Sequence, residues 1–274
     1  MNLKSYRHPW LFYSLSTLIP WTFWGIAAYL SHLQPATHYI RVVSILGLAG
    51  LSAPMLLAFW LMYKDGLLKK DLRNRLFNFK SSQNIYWLIA VFLMLVSILL
   101  AQAISLVFGY SQEQFKITGH YSFPSGIFPV WFILLIAPVL EELGWHTYGT
   151  DTLRNHFNLF QTSLIFALFW GIWHIPLALI KDYYQSHLVA TGWLYSINFL
   201  VSIFPFVILM NWLYYKTGRN ILVAIIFHIT AGFFNEIFAT HPMSKVIQTG
   251  LLIVLASYIV VKEKAFFFKR EMTE

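Results

Sequence analysis

Apolar residues run through this chain in eight long stretches separated by short polar breaks. They lie at about 10–31, 40–63, 85–109, 126–149, 160–180, 191–215, 220–239 and 245–262. Each falls within the roughly 17–25 residues that a membrane-crossing helix needs. The pattern predicts an all-α, polytopic membrane protein with about eight transmembrane helices. No polar stretch exceeds roughly 20 residues, too few for a core of its own. The whole of 1–274 therefore reads as a single membrane-embedded domain. The first apolar run has no small-residue cleavage site after it and reads as a retained span rather than a signal peptide.

Charge sets the expected orientation. With the N-terminus in the cytoplasm, Lys4, Arg7, Lys64, Lys69, Lys70, Arg73, Arg75, Lys80, Arg154, Lys216, Arg219, Lys262, Lys264, Lys269 and Arg270 fall inside, 15 of the 19 basic residues. The positive-inside rule then expects both termini to be cytoplasmic. The segment 64–80 is basic, with Leu67, Leu68, Leu72, Leu76 and Phe77 at helical spacing. It reads either as an amphipathic helix lying on the cytoplasmic surface or as an ordinary basic loop. The net charge of +8 is concentrated next to the spans. This favours membrane lipids as partners, in an integral protein of the cell membrane, and gives no sign of nucleic acid. The chain has no cysteine, which excludes thiol nucleophiles and thiolate metal sites.

Four ionisable groups interrupt the apolar runs. Glu141 and Glu142 follow Gly126–Leu140, His174 lies in Leu164–Ile180, and His228 lies in Ile221–Ile229. An ionised group at bilayer depth costs roughly 2.5–3.5 kcal/mol, so such groups are functional candidates by default. Counted along straight helices from the cytoplasmic ends, Glu141 and His228 lie about 12 Å deep and His174 about 20 Å deep. A single pocket open toward the cytoplasm is the expectation. Glu142 and His146 are i,i+4 neighbours able to hydrogen-bond, while Glu141 faces about 100° away, beside Trp145 and Tyr148. One acid is expected to serve as a general base and the other as a structural partner of His146. His174 is suited to share a water with Glu141, and His228 to donate to an oxyanion. Asn198, Asn211, Asn235 and Glu236 are assigned mainly to packing. Glu141, His174 and His228 would also suit a zinc ion. HExxH is absent, however, and the expectation is no metal and no other cofactor.

The strings Glu141-Glu142-Leu-Gly-Trp145-His146-Thr-Tyr148, then Phe169-Trp170-Gly-Ile-Trp-His174-Ile-Pro176, then Ile226-Phe227-His228 resemble the three intramembrane motifs of the CAAX-protease and bacteriocin-processing (CPBP, or Abi) family. Those motifs are EExxxR, an aromatic residue four before a histidine, and HxxxN. The resemblance covers about 85–240. It implies an intramembrane endopeptidase of the glutamate type, acting on a membrane-associated, lipidated or peptide substrate. Glu141 and His174 would activate water, His228 would help bind the oxyanion, and Glu142 would hold the polar network. Trp170 supplies the aromatic position. Two departures mark a divergent member. His146 stands where the family has arginine, and Gly232 where it has the asparagine of HxxxN. Asn235 is about 10 Å further along the helix from His228 and is a poor substitute. The altered supports leave open a second function, a catalytically weak scaffold or peptide-immunity protein that works by binding. A transporter would need a polar path across the whole bilayer and is less well supported.

Overall fold

The structure is a computed structural model that describes residues 3–35, 38–76, 78, 84–119, 121 and 126–270. Parts of the 64–80 segment and of the 110–125 loop lie outside the described residues. Twelve α-helices are named along the described chain: α1 Pro9–Ser31, α2 Ile40–Met62, α3 Gly66–Leu76, α4 Asn84–Leu106, α5 Val130–Gly144, α6 Thr150–Arg154, α7 Leu159–His174, α8 Tyr184–Thr191, α9 Trp193–Lys216, α10 Ile221–Ile237, α11 Pro242–Lys262 and α12 Lys264–Phe268. A π-helical turn, Trp145–Gly149, joins α5 to α6, and a 3₁₀ turn, Ile175–Leu179, follows α7.

Six segments are long and apolar enough to cross a membrane: α2, α4, α5 through α6, α7 with its 3₁₀ extension, α9 and α11. The 17-residue α10 is a shorter apolar helix. The 23-residue α1 packs along α2. The protein is an integral, polytopic, all-helical membrane protein, as the apolar pattern predicts. Without a hydrophobic drive between helices in lipid, close packing and polar contacts hold such bundles together. One example decides the placement of the acid pair. A Cβ on Gly144 would lie 2.7 Å from the backbone of Pro54, so only glycine lets α5 cross α2 this closely.

The antiparallel helices give the bundle two distinct ends. One end gathers the N-terminal segment, α3, the α6–α7 corner, the α9–α10 turn and α12. Asn155 donates to the Tyr6 carbonyl there, and Arg154 to that of Lys269. The opposite end gathers the α1–α2 and α10–α11 connections, the 3₁₀ turn after α7 and α8. At that end the Lys181 amide donates to Ser31, Gln102 donates to Thr240, and Ser244 donates to Gln114.

The segment 64–80 is helical where described. Its surface reading is corrected at Arg75, which is 3% exposed. Arg75 pairs with Asp71 one turn earlier (2.9 Å) and with Asp151 (2.8 Å), and donates to the Tyr6 and Tyr214 hydroxyls. Arg219 pairs with both Asp71 and Asp151. Two guanidinium groups thus face two carboxylates, and the buried charge balances. Burial works against the Arg219 cation, but Asp151 and the surrounding phenols outweigh it and raise its proton affinity above the ordinary value.

Candidate active site

The glutamate pair ends α5, and the chain then widens into a turn that is neither an ordinary α-turn nor a loop. The π-turn Trp145–Gly149 holds one residue more than an α-turn would, which frees backbone carbonyls. Arg75 reaches in from α3 and covers two of them, donating to the carbonyls of His146 (2.9 Å) and Thr147 (2.8 Å). Tyr214 also donates to the His146 carbonyl, at 3.0 Å. The bend that sets the direction of the acid pair is therefore held by the ionic cluster behind it.

Glu142 is fully buried between two imidazoles. His146 Nδ1 contacts one of its oxygens, and His228 Nδ1 reaches the other at 2.7 Å. His146 Nε2 faces Asn211 Oδ1 at 3.0 Å, and Asn211 Nδ2 donates to Ser163 at 2.9 Å. Both ring nitrogens of His146 thus meet acceptors. The pair is satisfied when each ring nitrogen carries a proton, or when Glu142 carries the second one. At the position where the resembling motif has arginine, His146 thus offers two ring nitrogens in place of a guanidinium fork. Asn211, which the sequence assigns to packing, is a working part of this network.

Glu141 faces the other way, into a cavity of about 310 Å³. Trp170 organises the groups around it. Its indole N–H donates to Glu141 at 2.9 Å, its carbonyl accepts from His174 Nδ1 at 2.6 Å, and its ring stands edge-on to His228 at 5.2 Å between centroids. A hydrogen bond to a carbonyl fixes the proton of His174 on Nδ1, which leaves Nε2 free as an acceptor. α7 ends at His174 because Pro176 follows, and the 3₁₀ turn continues along the cavity, with Leu177 on its wall. Glu141, His174 and His228 all line this cavity, together with Trp170 and Gly232. Tyr183, between two spans, is also on its wall. Burial, helped by the charge of Glu141, pushes the Tyr183 phenol up to about 12, so it stays a hydroxyl donor.

Three expectations need correction. Trp145 and Tyr148 do not line the cavity. Trp145 packs on Phe12, Tyr13 and Trp173, and Tyr148 on Tyr6 and Phe12, because the π-turn rotates them toward α1. His228 binds Glu142, which the sequence paired with His146 alone. Lastly, the cavity does not open on the face that carries the termini. Its wall includes Trp24, Tyr184, Asn235, Pro242 and Lys245, all from the opposite end of the bundle. A depth count along single helices gives position but not the direction in which a pocket opens. The end with the termini is closed by the ionic cluster and by stacked aromatics such as Phe166 under Trp170.

Among the described residues, no three His, Asp or Glu side chains converge to hold a metal ion.

Residues 123–234 match the model of the family described as Type II CAAX prenyl endopeptidase Rce1-like. That region begins just before α5 and ends near the tip of α10. Over 272 residues, 98% of this chain and 99% of the other, the protein is 36% identical to the CAAX prenyl protease 2 of Methanococcus maripaludis. The chain belongs to the CAAX-protease family. It is an intramembrane endopeptidase, and the binding-only reading is not favoured. Gly232 is on the cavity wall, and a Cβ added there would meet nothing within 4 Å.

Proposed function

We propose that this endopeptidase cleaves a prenylated protein near its C-terminus, with Glu141 as general base and without a metal. The observation that carries the roles is the position of Trp170, which restrains Glu141 and His174 at once and packs against His228. The relative named a CAAX prenyl protease supports the substrate class. A CAAX terminus is a cysteine that carries an isoprenoid, followed by three residues. Leu51, Met94, Leu134, Ile203, Phe206 and Leu252 give the cavity an apolar wall suited to such a chain.

In the proposed reaction, water sits between Glu141 and His174 Nε2. Its oxygen attacks the scissile carbonyl carbon, and its proton passes to the Glu141 carboxylate. The resulting oxyanion takes a hydrogen bond from His228 Nε2–H. That donor requires a fully protonated ring, whose charge the adjacent Glu142 carboxylate balances. Glu141 then gives its proton to the leaving nitrogen, and the C–N bond breaks.

The test uses purified full-length protein and a farnesylated peptide ending in CAAX, read by mass spectrometry. Wild type is expected to release the last three residues in the presence of a chelator. Glu141→Gln is expected to lower the rate by about 10³ or more at unchanged thermal stability. Equal cleavage of the unprenylated peptide would overturn the substrate class. Loss of activity on chelation, restored by a divalent metal, would overturn the metal-free mechanism.

A further inference from the structure

The cavity carries one cation that the mechanism leaves unused. Among the described residues on its wall, Lys245 is the only lysine or arginine. The buried guanidinium groups of Arg75 and Arg219 are each paired with carboxylates. For Lys245, no described carboxylate comes within ion-pair distance. Its ammonium instead lies over the Tyr184 ring, 5.6 Å from the centroid. A cation on an aromatic face keeps the capacity to take an anion.

Its place along the cavity identifies that anion. Asn235 donates to the Tyr184 hydroxyl at 3.4 Å, which puts Tyr184, and Lys245 over it, at the level of Asn235 on α10. Asn235 is seven residues beyond His228, about 10 Å along the helix axis. Three extended residues also span about 10–11 Å. A peptide whose scissile carbonyl lies at His228, with three residues beyond it, therefore brings its terminal carboxylate to Lys245.

We propose that Lys245 anchors the substrate's C-terminal carboxylate and so measures three residues from the bond to be cut. This rests on the CAAX substrate reading above. Lys245 would be a specificity residue, remote from the reacting atoms.

The experiment compares two farnesylated CAAX peptides, one ending in a free carboxylate and one in a carboxamide, with full-length protein in nanodiscs. Wild type is expected to favour the carboxylate by about tenfold or more in kcat/KM, as for a hydrogen bond between charged partners. Lys245→Met should bring the carboxylate peptide down to the carboxamide rate and leave the carboxamide rate within about twofold of wild type. Lys245→Arg should keep most of the preference. Equal cleavage of both peptides by wild type, or a preference that survives in Lys245→Met, would overturn the proposal while leaving the CAAX reading intact. If wild type cleaves neither peptide, the CAAX reading falls and the proposal with it.

Discussion

The two ends of this bundle treat charge in opposite ways. At the end with the termini, Asp71, Arg75, Asp151 and Arg219 are matched two against two and saturated further by the Tyr6, Tyr214 and Tyr215 hydroxyls. Among the described residues at the cavity end, Glu141 accepts from the Trp170 indole, His174 Nε2 has no hydrogen-bond partner, and Lys245 meets an aromatic ring and no carboxylate. The first end uses charge to fix geometry. The second keeps unfilled hydrogen-bonding capacity, which is what a water molecule and a peptide need. Arg75 connects the two, because it satisfies Asp151 and the π-turn carbonyls together.

The sharpest test of this contrast is all-or-none. The chain has no native cysteine, so single cysteines report sidedness directly. Lys70→Cys on α3 and Thr191→Cys at the end of α8 are both exposed. An impermeant maleimide applied to one face of sealed vesicles should label one and not the other. Labelling of both from the same face would break the division into two ends.

Next in size is the loss of the shared carboxylate. Asp151→Ala leaves two buried guanidinium groups with one partner between them. It should cost about 3–5 kcal/mol, seen as a large fall in melting temperature in detergent. A variant as stable as wild type would show that the cluster is not what closes this end.

Trp170→Phe should act at the opposite end. It keeps the aromatic packing and removes the N–H donated to Glu141. We expect kcat to fall about tenfold, with the melting temperature nearly unchanged. A fall in stability without a change in kcat would assign Trp170 to packing alone. The smallest effect is expected from Gly232→Asn. A Cβ there meets nothing within 4 Å, so the position can accept the first atom of the asparagine that the resembling motif carries. It should raise kcat by about two- to fivefold by adding an oxyanion donor. A lower rate would mean that this cavity has been reshaped around glycine.

The sequence was most legible where one residue carries the argument. The apolar runs located the helices, and an ionisable group in such a run is conspicuous without knowledge of its neighbours. Glu141, Glu142, His174 and His228 were found that way. The partners were not. Arg75 looked like any basic residue near a span, because nothing local to 64–80 tells of Asp151, 76 positions away. Trp145 stays beside Glu141 as expected, but Tyr148 was misplaced because a uniform 3.6-residue period was carried through a segment that breaks it. Asn211 was taken as packing because its role exists only once His146 faces it across two helices. The direction of the cavity was misread for a related reason: depth is a property of one helix, whereas an opening is a property of several.

The π-turn also constrains how this chain can vary in length. An α-helix advances about 100° per residue. The five residues of Trp145–Gly149 wind through about the same angle as four α-helical ones, so the helix beyond keeps its phase and Asp151 meets Arg75 and Arg219. Deleting one of the five would return the segment to regular winding with Asp151 still facing its partners, but it would withdraw the carbonyls that Arg75 covers. A second deletion would come out of regular helix and swing Asp151 away from both cations, so this turn tolerates one residue of change and no more.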